Sequence, residues 1–128
     1  MPPSPSKTPN SKRLRAHRHG HWAETLAAWL LAAKLYRIRD RRYKTPVGEI
    51  DLVAETRGTI VFIEVKLRRS GDDEAAALEA VNQQRIARAA QYWLMRHPAE
   101  TAKDCRFDVI FLAPGRWPSH LRNAFSEA

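Results

Sequence analysis

Two nine-residue stretches rich in β-formers, Val47–Glu55 (VGEIDLVAE) and Thr59–Leu67 (TIVFIEVKL), are separated only by Thr56-Arg57-Gly58. No other feature constrains the fold as tightly, because such a spacing reads as a β-hairpin. If the turn centres on Arg57-Gly58, Thr56 pairs with Thr59 and, counting outward, Asp51 stands opposite Glu64, whether the loop has two residues or four. Direct partners leave the same sheet face with Cβ atoms ~4.5–5.5 Å apart, where like charges repel. Alternation adds Glu49 and Lys66 to that face, opposite one another, and turns Ile63 and Val65 to the other side. A three-residue loop would set Asp51 against Ile63 or Val65 and dissolve the cluster.

The rest of the chain supplies partners for this hairpin. Trp22, Leu26, Trp29, Leu30 and Ala33 recur at helical spacing, with Glu24 in the first turn, and predict a helix over about 21–34 with its tryptophans in the core. Leu35–Tyr43 interleaves polar and apolar residues as a half-exposed, strongly basic strand. Ser70-Gly71-Asp72-Asp73 offers turn and N-cap chemistry for a second, longer helix carrying Leu78, Val81, Ile86, Ala89, Ala90 and Trp93 and ending before Pro98. Cys105–Leu112 is nearly all apolar, as suits a strand covered on both faces, and Pro114-Gly115 stops it. Asp108, within that apolar run, is expected to be buried and hydrogen-bonded rather than catalytic. Trp117 is expected to pack on the surface near the C-terminus. The order α-β-β-β-α-β is an α/β fold, and the crossover through the second helix makes the third and fourth strands parallel neighbours.

Composition narrows the class. At 128 residues the chain suits one domain. Its longest uncharged apolar run is Ala27–Ala33, far short of the ~20 residues that span a bilayer. One cysteine, Cys105, excludes a disulfide-stapled fold, and with no signal-like segment a cytoplasmic protein is the expectation. The net charge of +8 is concentrated in a Pro-rich basic tail, residues 1–20, expected to be disordered and to contact phosphates non-specifically. His17, His19 and His21 lack a structured frame and a fourth ligand for a metal site.

The charged cluster admits two physical readings. In one, a hard divalent cation sits between Asp51 and Glu64, with Lys66 near enough to hold a water or a phosphate oxygen. In the other, Lys66 is merely the counterion of both acids in a solvated ladder worth little energy. Arg37, Arg39, Arg41, Arg42 and Lys44, with Arg68 and Arg69, would bind phosphates, and Tyr36 and Tyr43 would stack on unpaired bases. A solvated, charge-protected edge strand is the alternative for that segment.

At these residues the chain resembles a known family. Gly48-Glu49-Ile50-Asp51-Leu52-Val53-Ala54 followed by Val61-Phe62-Ile63-Glu64-Val65-Lys66, with Gly20, Ala23-Glu24, Arg106-Phe107-Asp108-Val109 and Asn123-Ala124-Phe125, looks like the YraN family over residues 20–126. That bacterial group is predicted to hold endonucleases of the restriction-endonuclease-like PD-(D/E)XK superfamily. The resemblance implies an αβββαβ core, a mixed sheet flanked by helices, over residues 21–128. It places Asp51, Glu64 and Lys66 at the superfamily signature and Glu24 at a helix-one acid that completes the site in some branches. Ile50 stands where the superfamily's name has proline. Implied also are Mg²⁺ or Mn²⁺ between Asp51 and Glu64, with the Val65 carbonyl as a further ligand, and cleavage of phosphodiester bonds in nucleic acid, DNA first. Glu49 reads as a partner of Lys66 more than as a ligand. Gln83 and Gln84 resemble a polar position used near such sites, but adjacent helix glutamines are ordinarily surface residues. Cutting both strands of a duplex would ask for a homodimer. The competing class is a nucleic-acid-binding protein of the same fold that no longer catalyses.

Overall fold

The computed structural model describes residues 22–67 and 81–125. Helix α1 (22–33) leads into β1 (Arg37–Thr45), β2 (Gly48–Thr56) and β3 (Thr59–Leu67). Helix α2 (Gln83–Arg96), a 3-10 turn (Pro98–Glu100), β4 (Asp104–Leu112) and β5 (Ser119–Phe125) follow. The basic tail, His17, His19, His21, Ser70–Asp73 and Leu78 lie outside the described residues. The five strands form one mixed sheet in sequence order. Its neighbours are antiparallel except β3 and β4, which run parallel because the chain crosses over through α2 between them. Among the described residues, no helix is long and apolar enough to cross a membrane.

The hairpin forms in the expected register. Arg57 (φ 49°) and Gly58 (φ 80°) are both left-handed, the signature of a two-residue type I′ turn whose twist matches the flanking strands. Pairing runs from Thr56 with Thr59 to Leu52 with Ile63. Each face of the sheet then buries a helix. On one side Ile50, Val53, Ile60, Phe62, Phe107, Val109 and Phe111 meet Ile86, Ala89, Ala90 and Trp93 of α2. On the other, Leu52, Ala54, Val61, Ile63, Ile110 and Leu112 meet Ala23, Ala27, Ala28 and Leu31 of α1, together with Tyr36.

That second layer corrects the core expected for α1. Trp22 (59% exposed) and Trp29 (71%) face solvent, and only Trp93, at 0%, is a core tryptophan. The helix carries two apolar stripes. The stripe of alanines and Leu31 is buried because small side chains let the helix lie close to the sheet, leaving the indoles outside. Trp117 is 92% exposed, so among the described residues the surface packing expected of it leaves the ring almost wholly in solvent. The second helix also differs: it does not run on through Val81, because the Asn82 side chain accepts a hydrogen bond from the Arg85 N–H (3.0 Å) and caps a helix that begins at Gln83. Strand β5 was not foreseen. It lacks β-branched residues and carries Asn123 at φ 53°, and it is held instead by buried polar contacts to β4.

Those contacts centre on Asp108. Its carboxylate receives Arg106 through two bonds (both 2.9 Å), the Asn123 N–H (2.9 Å) and the His120 ring (2.8 Å). Burial pushes its pKa up, and the hydrogen bonds from His120, Arg106 and Asn123 outweigh that and hold it below the ordinary value. The structural role expected for Asp108 is therefore what the fold displays.

Burial separates the tryptophans energetically. Trp93→Ala removes a fully buried ring and its bond to Asp40 (Nε1 to Oδ2, 2.7 Å), and is expected to cost about 3–5 kcal/mol in urea unfolding, against less than about 0.5 kcal/mol for Trp29→Ala. Equal losses in the two variants would contradict this layer assignment.

Candidate metal centre and nucleic-acid interface

The site forms where β2 skips a pair with β1 and leaves β3. In the β1–β2 ladder Arg41 pairs with Leu52 and Tyr43 with Ile50, but Arg42 and Asp51 between them do not pair, and Arg42 has φ 52°. On the other side the β2–β3 ladder stops at Leu52 and Ile63. Strict alternation also fails here, since Ile50 packs on the α2 side and Leu52 on the α1 side. Asp51 sits at this break. Its side chain takes over the lost backbone pairing, with Oδ2 accepting the Val65 N–H at 2.8 Å.

Four acids converge on this point. Ligand oxygens of Glu24, Glu49 and Asp51 all lie within 4.8 Å of one another. Glu64 lies near enough to Asp51 for that carboxylate to raise its pKa, with Lys66 exerting the opposing pull. Asp51 and Glu64 are therefore near one another, but not as the cross-strand pair expected from the hairpin, because the ladder ends at Leu52 and Ile63, and Glu49 does not stand opposite Lys66 in it. Glu49 differs from its reading as a partner of Lys66: no ion pair joins the two among the described residues, and its carboxylate turns to Glu24 and Asp51. Val65 contributes its N–H to Asp51, the only contact of its backbone that bears on the site.

The electrostatics are unbalanced. Burial, then Asp51, raises Glu24 from 4.5 to about 7, against the opposing pull of Arg42. Burial, then Asp51, raises Glu64 from 4.5 to about 9. Glu24 is 5% exposed, and its Oε1 has no hydrogen-bond partner, with only the Arg42 Nε at 3.7 Å. A buried carboxylate oxygen without a partner costs free energy unless a cation or a proton meets it. Oxygen donors gathered in this way suit a hard divalent ion such as Mg²⁺ or Mn²⁺, so the residues present fit the group.

The basic residues sort differently than the sequence suggests. Arg39 is held by Glu55 (2.9 Å) and Glu100 (3.2 Å) and lies over Trp93, its charge already neutralised at the far end of β1. Arg42 is turned inward against Glu24. Arg37, Arg41 and Lys44 remain exposed, whereas Arg68 and Arg69 lie outside the described residues. Tyr36 is buried and bound by Arg106, and Tyr43 packs on the α2 layer beside His97, so neither presents a free ring to a base. Gln83 and Gln84 are exposed at the start of α2. Gln84 joins Val47, Asn82, Arg85 and Arg88 in a groove of about 310 Å³. Arg85 of that groove lies over Gly48, the residue before Glu49, where a Cβ would come within 2.7 Å of its Cγ. Arg85 and Arg88 were missed, although two arginines one helical turn apart beside Gln84 were a visible signal.

Comparison with known proteins agrees on the lineage of these residues. The model of the uncharacterised protein family UPF0102 matches residues 23–112. A UPF0102 protein of Bradyrhizobium sp. (strain ORS 278) is 51% identical over 123 residues, covering 96% of this chain and 87% of the relative. One from Rhodopseudomonas palustris (strain BisA53) is 50% identical, covering 95% and 94%. One from Methylorubrum extorquens (strain PA1) is 44% identical, covering 94% of each.

The raised carboxyl values give a pH dependence. In the metal-free protein these groups bind more protons folded than unfolded above pH about 4.5, so their contribution is fully present below that value and is lost as pH rises through about 7 and about 9. Thermal melts in chelator should therefore show stability falling between pH 5 and 9, by several kcal/mol. Added Mn²⁺ should restore it more at pH 8 than at pH 5. Asp51→Asn, which keeps an oxygen for the Val65 N–H, should stabilise the metal-free protein at pH 8 and abolish the Mn²⁺ effect; a metal-free melt lowered by this substitution would contradict the repulsion.

Proposed function

We propose that this chain, which belongs to the uncharacterised protein family UPF0102, is a divalent-cation-dependent nuclease of the restriction-endonuclease-like PD-(D/E)XK type that hydrolyses phosphodiester bonds in nucleic acid, DNA first. The observation that carries the reading is the convergence of Glu24, Glu49, Asp51 and Glu64 beside Lys66, with one buried carboxylate oxygen left unpartnered. A purely structural ladder would pair its charges, as the Arg39, Glu55, Glu100 and Lys103 network at the other end of β1 does.

In this reading Asp51 is the central ligand, flanked by Glu24 and Glu49 on one side and by Glu64 on the other, with the Val65 carbonyl as a further oxygen. A Mg²⁺ or Mn²⁺ ion supplies, when bound, charge neutralisation and Lewis-acid polarisation of a phosphoryl oxygen. The protein's own groups do the rest. The Val65 N–H holds the Asp51 carboxylate in one orientation, which fixes the site before substrate arrives. Lys66 places an ammonium beside Glu64, where it orients a water for attack and offsets charge on the phosphate. Glu64, as a carboxylate once a cation is held, would be a ligand, and the water's proton would pass to solvent as it attacks. Arg85 and Arg88 line the groove, where a flanking phosphate would pass.

Purified protein incubated with branched, single-stranded and duplex DNA in Mg²⁺ or Mn²⁺ tests this. The expected result is cleavage that EDTA abolishes, that Asp51→Asn reduces by at least about 100-fold with binding retained, and that Lys66→Ala reduces by about 10²–10⁴-fold. Cleavage undiminished in Asp51→Asn would be contamination and would end the proposal, and salt-sensitive binding with no cleavage in either metal would favour a non-catalytic binding protein.

A further inference from the structure

Two large indoles stand in solvent on the outer face of α1, and the nuclease chemistry uses neither. At 100° per residue, Trp22, Thr25 and Trp29 fall within about 60° of one another around the helix, and the two tryptophans are about 10.5 Å apart along it. Between them lies a cation. The Arg41 Nη2 donates to the Thr25 Oγ1 at 2.8 Å, which sets the guanidinium over the helix face flanked by the two rings. Among the described residues Arg41 has no carboxylate partner, so its charge is available to an anion. The next residue, Arg42, reaches Glu24, the neighbour of Thr25. Consecutive residues of β1 thus grip consecutive residues of α1, one contact facing out beneath the indoles and the other facing in to the acids.

We infer that this outer face is a stacking platform for unpaired bases, with Trp22 and Trp29 as the stacking surfaces and Arg41 as a phosphate contact between them. The inference rests on the nucleic-acid part of the function proposed above and specifies its substrate class: strands with unstacked bases next to the scissile phosphate. Exposed indoles alternating with an unpaired cation match the two chemistries of a single strand, π-faces and phosphates, and they are indifferent to sequence. Charge argues against a second copy as the occupant. A two-fold contact through this face would bring two Arg41 guanidiniums together out of water, with no carboxylate paired to them among the described residues.

Binding measured in EDTA, without cleavage, tests the platform separately from catalysis. The probes are a labelled oligothymidine of about 20 nucleotides and a blunt duplex of the same length, read by fluorescence anisotropy and by quenching of intrinsic tryptophan emission. Trp22→Ala and Trp29→Ala are each expected to weaken oligothymidine binding by about 5- to 150-fold, with duplex binding changed less than about threefold and part of the quench lost. Trp29→Phe should recover most of the affinity, and unchanged circular-dichroism melts should show that the fold is intact. Unaltered oligothymidine affinity in both alanine variants would overturn the platform, as would a dimer in sedimentation that Trp29→Ala dissolves. Absence of metal-dependent cleavage alongside tryptophan-dependent binding would sink the nuclease reading alone.

Discussion

A two-residue turn decides which charges meet in this protein. Arg57 and Gly58, both left-handed, close the β2–β3 hairpin with no slack and fix its pairing out to Leu52 and Ile63, the residues next to Asp51 and Glu64. A slip of one residue would have turned Glu64 to the opposite face and replaced it with Ile63 or Val65. The turn lies far from the acids along the strands, yet their juxtaposition depends on it. Strand pairing then yields at Asp51, and the Asp51 carboxylate, by accepting the Val65 N–H, holds the parted strands at a defined separation.

Charge is managed in opposite ways in different parts of the molecule. At the closed end of the hairpin, Glu55 and Glu100 are shared between Arg39 and Lys103, and Glu100 is drawn down to about 2 by hydrogen bonds from Arg39, then Lys103. Beneath β5, buried Asp108 is fully satisfied by Arg106, His120 and the Asn123 N–H. At the open end Glu24, Glu49 and Asp51 crowd together with Glu64 near Asp51, and Glu24 and Glu64 rise well above the ordinary carboxylate range despite the pull of Arg42 and Lys66. In contrast with the Arg39, Glu55, Glu100 and Lys103 network, this cluster keeps one carboxylate oxygen, Glu24 Oε1, without a hydrogen-bond partner.

Helix α1 links the chemistry to the surface. Its buried stripe of alanines brings Glu24 within reach of Asp51, which larger side chains would prevent by holding the helix off the sheet. The same rotation turns Trp22 and Trp29 outward. Close packing and aromatic exposure are therefore two results of one helix orientation.

Periodicity and turn chemistry alone determined the hairpin, its register as far as Leu52 and Ile63, and the parallel β3–β4 pair, because these follow from alternation and from short connections that admit few geometries; alternation breaks at Asp51, so the form of its approach to Glu64 was decided by the tertiary structure. Asp108 as a buried structural acid was legible for the same reason, a lone charge in an apolar strand. Only the tertiary structure decided which of two apolar stripes on α1 is buried, since spacing sets the stripes but packing distance chooses between them. It alone turned Glu49 to Glu24, spent Arg39 and Arg42 on acids, and built β5 from side-chain hydrogen bonds that no propensity signals. Partners distant in sequence are a property of the assembled sheet, and no local pattern encodes them.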